Sequence, residues 1–102
     1  MQGFSITQGK GFHITFKNGY TVSVQFGPDN YCDNNNGKYE VGIDDYACGA
    51  AGCANAECAV TNPKGHRIDC PLFNTEDAVS NRSTPAEVLE IMLWASRQEA
   101  PF

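Results

Sequence analysis

The chain has 102 residues, of which 41% are hydrophobic and 19% charged, and it carries a net charge of −5. This is the composition of one small globular domain, with room for a modest core but not for separate cofactor and substrate domains. It excludes collagen-like and disordered classes, and no run approaches the ~20 apolar residues of a membrane span.

Residues 11–26 read as a β-hairpin. Phe12, Ile14 and Phe16 alternate with polar residues, as do Tyr20, Val22, Val24 and Phe26. A two-residue loop at Asn18-Gly19 would set the aromatic face against Thr, Ser and Gln. A three-residue loop of Lys17-Asn18-Gly19 instead pairs Phe16 with Tyr20, Ile14 with Val22 and Phe12 with Val24, with Gly19 in the left-handed position. The second register is therefore expected.

Residues 27–56 are rich in Gly, Asn and Ala and form a long segment between hairpins, within which Tyr39, Val41 and Ile43 alternate and offer a further strand. Over 57–70 the turn chemistry recurs. Pro63-Lys64-Gly65 places Pro where φ is near −65° and Gly where φ is positive, pairing Asn62 with His66, Val60 with Ile68 and Cys58 with Cys70. The segment 84–98 is a helix. Thr84-Pro85-Ala86-Glu87 is a capping box with Pro at the first helical position, and Val88, Leu89, Met92, Leu93 and Ala95 form the apolar flanks. Trp94 falls within the polar stripe of that helix, so it is expected to dock on its own sheet, a second subunit or a partner. The expected fold is a single α+β domain over 1–102: an antiparallel sheet of four or five strands with the C-terminal helix across one face. Its expected core is Phe12, Ile14, Phe16, Val22, Val24, Val60, Ile68, Val88, Leu89 and Met92.

The acidic excess is concentrated. Asp29, Asp33, Glu40, Asp44, Asp45 and Glu57 face only Lys38 within 29–58, which accounts for the whole net charge. Nucleic-acid binders need Lys and Arg to displace counterions, so this field disfavours nucleic acid. It suits a basic protein surface, and these acids together with Trp94 are the candidate partner-binding residues. The bland alternative is a solvated acidic loop.

Five cysteines are an odd number, and no charged-then-apolar N-terminal stretch reads as a signal peptide. Reduced thiols in a cytoplasm are the expectation. Cys48, Cys53, Cys58 and Cys70 could converge as a zinc site, but no CxxC knuckle is present, and buried thiols are the favoured reading. The run Asp33–Gly37 lacks the first Asp of an EF-hand loop. His13 and His66 have no catalytic motif beside them, and no phosphate-binding glycine loop occurs, so the chain is expected not to be an enzyme and to need no cofactor. A nucleotide-sequestering oligomer would have to use Arg67, Arg82 or Arg97 as phosphate ligands.

The stretches GKGFHITF (9–16), NGYTVSVQFGP (18–28) and NYCDN (30–34) resemble a group of small, mostly uncharacterised bacteriophage and prophage proteins, with AECAV (56–60) and TPAEVLEIMLWAS (84–96) at the corresponding strand and helix. The resemblance spares 35–55 and brings no catalytic residues with it. It implies that the Cys-rich 48–58 segment varies, which counts against an obligatory zinc site. Small acidic phage proteins are often inhibitors of host defence, such as anti-CRISPR proteins. By analogy of class, the expected function is a non-enzymatic, phage-encoded inhibitor in the host cytoplasm that blocks a basic host protein through its acidic surface. The alternatives are a zinc-stabilised structural module and the nucleotide-sequestering homo-oligomer.

Overall fold

Alternating β-branched and aromatic side chains dominate the first quarter of the chain, and they build the first half of an antiparallel sheet. The structure is a computed structural model that describes residues 2–7, 10–27, 29–35 and 52–99. Its elements are β1 (Gly3–Ile6), β2 (Gly11–Thr15), β3 (Thr21–Gln25), β4 (Ala56–Thr61), β5 (Arg67–Ile68), β6 (Ser80–Ser83) and the helix α1 (Pro85–Ser96). The strands run in the order β1-β2-β3-β4-β5, and β6 also pairs with β4. Every pairing is antiparallel. The α+β class and the helix packed on the sheet are as expected. Tyr39, Val41 and Ile43, the proposed further strand, lie outside the described residues.

The first hairpin has the three-residue register. Phe12 faces Val24 and Ile14 faces Val22, and the Phe16 N–H donates to the Tyr20 carbonyl. Gly19 has φ +89°, the left-handed conformation its position requires. The second hairpin closes in the same way: the Asn62 N–H donates to the His66 carbonyl, Val60 faces Ile68, and Gly65 has φ +84°. The two turns abut, and a Cβ on Gly19 would lie 3.0 Å from Pro63 Cβ and Cγ.

Past Ile68 the expected register fails. Cys58 faces Ser80 of β6 rather than Cys70. Pro71 has no N–H to give a ladder, and the chain leaves the edge of β4 in a turn closed by the Phe73 N–H on the Cys70 carbonyl. The vacated edge is taken by β6. Between Cys58–Ser80 and Ala56–Ser83 the register shifts, with Arg82 at φ +47° accommodating the extra residue.

One face of the sheet carries two apolar rungs across successive strands. Phe4, Ile14, Val22, Val60 and Ile68 make one, and Ile6, Phe12, Val24 and Cys58 the other. The opposite face is polar, with Ser5, His13 and Ser23 in line and Thr15 hydrogen-bonded to Thr21 at 2.8 Å. Helix α1 packs on β3, β4 and β6, and so covers one half of the apolar face. Its capping box is formed: Thr84 Oγ1 accepts from the Glu87 N–H at 3.3 Å, and Glu87 Oε1 accepts from the Thr84 N–H at 2.9 Å.

The helix buries Val88, Ile91 and Ala95. The expected core is corrected here, because Ile91 is 1% exposed whereas Leu89 is 51% exposed. Trp94 is half-buried against the core of its own chain. Among the described residues, no helix is long and apolar enough to cross a membrane.

Candidate functional site

The end of the sheet opposite the two turns holds the loop that follows β3. Residues 29–35 are pinned there against 52–57 and β6. Asn34 Nδ2 donates to the Phe26 carbonyl at 2.7 Å and the Gly52 carbonyl at 3.0 Å, and the Asp33 N–H donates to Asn55 Oδ1 at 2.9 Å. Arg82 reaches the same loop twice, through its N–H to the Tyr31 carbonyl and through Nε to Asp33 Oδ1 at 3.2 Å.

Of the candidate partner-binding acids, the three that are described, Asp29, Asp33 and Glu57, are engaged in internal contacts. Asp29 pairs with Lys10 at 3.4 Å and Asp33 with Arg82, while Glu57 accepts from the Tyr31 N–H at 3.2 Å and from Asn30 Nδ2 at 3.5 Å. These groups hold the loop in place. Glu40, Asp44 and Asp45 lie outside the described residues.

The same pinning brings Cys32 and Cys53 together. Cys32 is buried and Cys53 half-buried, and the two thiols are near enough for each to shift the other's ionisation. The Cys32 thiol donates to the Gly27 carbonyl at 3.3 Å. Burial pushes it up to about 11, and the nearby Cys53 adds to this, against the opposing pull of the Asn34 and Asn35 N–H groups. Burial also raises Cys53, but the backbone N–H groups of Asn55, Asn34 and Asp33, with the Cys32 thiol, outweigh it and hold Cys53 below the ordinary thiol range. The arrangement is a thiolate-prone sulfur at the surface with a protonated thiol behind it.

Among the described residues, the candidate zinc ligands are not assembled. Cys58 and Cys70 are buried in the hydrophobic core, Cys53 stands beside Cys32, and Cys48 lies outside the described residues. Burial, followed by the charges of Glu57 and Glu87, pushes Cys58 up to about 12, and burial raises Cys70 as well. Among the described residues no three His, Cys, Asp or Glu side chains converge on a metal position. The Cys32–Cys53 pair was missed in the sequence. Its one local trace is that each cysteine has Asn two positions later, in Cys32-Asp33-Asn34 and Cys53-Ala54-Asn55, and each sulfur accepts from that Asn N–H.

Beside this end, a cleft of about 440 Å³ opens between the sheet and the start of α1. Phe12, Val24, Phe26, Val88 and Met92 dominate it, and among the described residues no charged side chain lines it. Nothing in that lining would neutralise a phosphate. Of the arginines named for nucleotide binding, Arg82 is engaged with Asp33 and Asn81, and Arg67 and Arg97 are exposed on β5 and at the end of α1.

At the other side of the sheet, the apolar rungs run past the helix and end in the open. Phe4 and Ile6 on β1 are 79% and 85% exposed. They continue the row of Ile14 and Phe12 on the same face. Among the described residues, no strand pairs with the outer edge of β1.

Comparison with protein-family models, curated proteins and solved structures finds no match to this chain.

Proposed function

We propose that this chain is a non-enzymatic binding protein that docks a protein partner on the outer half of its apolar sheet face. The observation that carries this reading is the exposure of Phe4 and Ile6 at the end of two rungs whose other members are buried or half-buried. Contiguous apolar surface beside an open strand edge is a common form of recognition site, in which an extended partner segment adds a strand and drops alternate side chains onto the face. The net charge of −5 supports a partner with a basic surface. A host-defence component is the proposed partner, and the chain its phage-encoded inhibitor. That part of the reading rests on the resemblance at 9–16, 18–28 and 30–34 to small bacteriophage proteins.

The test is phage plating on a bacterial host with an active CRISPR–Cas system, with and without the expressed chain. The wild type is expected to restore plating, and a Phe4→Asp/Ile6→Lys variant to lose that effect while its melting temperature stays within a few degrees. A double variant as active as the wild type would remove β1 as the contact. Failure of the wild type to restore plating across CRISPR–Cas types would remove the anti-defence reading.

A further inference from the structure

Two segments distant in sequence, 29–35 and 52–55, are held together by two side-chain hydrogen bonds, and each carries one thiol at the junction. The Asn34 carboxamide ties its loop to the Gly52 carbonyl, and Asn55 accepts from the Asp33 N–H next to Cys32. Cys58 and Cys70, by contrast, sit in the core among apolar side chains. Cys53 is half-buried, so an oxidant can reach it, and its thiol shares the acceptor Asn55 Oδ1, at 3.9 Å, with the Asp33 N–H that follows the fully buried Cys32.

We propose that Cys32 and Cys53 form a reversible disulfide, a redox modification site that clips residues 29–35 to 52–55. The oxidant is a low-molecular-weight disulfide such as oxidised glutathione. Cys53 Sγ, as thiolate, attacks one sulfur of that disulfide, which breaks its S–S bond, makes a mixed disulfide and releases one glutathione thiolate. Cys32 then loses its proton to the departing thiolate of the second glutathione as its Sγ displaces that group from Cys53. The two protein thiols are oxidised to one disulfide, and one glutathione disulfide is reduced to two thiols. The N–H groups that surround Cys53 favour the first step, because they stabilise negative charge on its sulfur. The bond spans the stretch that contains Glu40, Asp44 and Asp45, so oxidation ties down both of its ends.

The experiment oxidises the full chain with glutathione disulfide under native conditions and maps the products by peptide mass spectrometry. A dominant Cys32–Cys53 cross-link is expected, reversed by dithiothreitol. Closing a loop of this length should raise the melting temperature by on the order of 10 °C over the reduced protein. Cys32→Ser should stop the reaction at the mixed disulfide on Cys53. Should that buried variant not fold, Cys53→Ser serves instead, and its Cys32 should take up no glutathione. The proposal is overturned by a dominant link from either residue to Cys48, by a stable glutathione adduct on the wild type, or by thiols that remain unreacted. A cross-linked product that melts below the reduced form would also overturn it, since the native loop geometry would then not accommodate the bond.

Discussion

Asn18, in the turn of the first hairpin, caps the far end of the helix that begins 66 residues later at Thr84–Pro85: its Nδ2 donates to the Ala95 and Gln98 carbonyls, each at 2.8 Å. The last carbonyls of a helix have no partners within it, and no basic residue stands in the last turn of α1 to serve them. The same side chain accepts from the Tyr20 N–H at 3.0 Å, so a single carboxamide fixes both the turn and the seat of the helix on the sheet.

Asn18→Ala should therefore cost about 1–2 kcal/mol, more than a turn residue normally contributes. Asn18→Asp should cost at least as much, because it sets a carboxylate against the negative end of the helix. Urea denaturation midpoints at constant m-value check both. A change below ~0.5 kcal/mol for Asn18→Ala would show that the contact contributes little.

The rotation of the helix on the sheet predicts a contrast between two neighbours. Ile91→Ala removes a fully buried side chain at the centre of the interface and should cost about 2–4 kcal/mol. Leu89→Ala, half exposed, should cost under ~1 kcal/mol. Chemical denaturation of the two variants decides the matter, and equal losses would mean that the helix is seated on a different face.

Glu87 makes stability depend on pH in a defined direction. The Thr84 N–H, followed by the Thr84 hydroxyl, holds its carboxyl below the ordinary 4.5. A depressed folded value means that the stabilisation is present above about pH 4.5 and is lost as the pH falls through the folded value. Glu87→Gln should melt lower than the wild type at pH 7, and the two curves should converge as the pH approaches 3. Parallel melting curves across that range would assign the capping box no charge-dependent role.

The reading of the site from sequence and from structure diverged for identifiable reasons. Acidic side chains at Asp29, Asp33 and Glu57 look alike in a sequence whether they face solvent or brace a loop. Only the arrival of Lys10, Arg82 and the Tyr31 N–H from other segments shows that these three brace it. The cysteines at 48, 53 and 58 suggested a set because their spacing is regular, yet the partner of Cys53 comes from the loop after β3.

What the sequence by itself determined was local. The register of the first hairpin, and that of the second as far as Ile68, follow from alternation and from the φ demands of Gly19 and Gly65, and the start of the helix follows from Thr84, Pro85 and Glu87, because these features depend on residues within a few positions of each other. Strands β1 and β6 have no such signature. GFSI is short and exposed, and SNRS is polar, so each is a strand only because an open edge of β2 or β4 supplies hydrogen-bond partners. The tertiary structure likewise decided which helix face is buried, since Ile91 and Leu89 are equally apolar and only the position of the helix over β3 and β4 selects Ile91. It also decided that Phe4 and Ile6 end in the open, because the helix covers the middle of the sheet and stops short of β1.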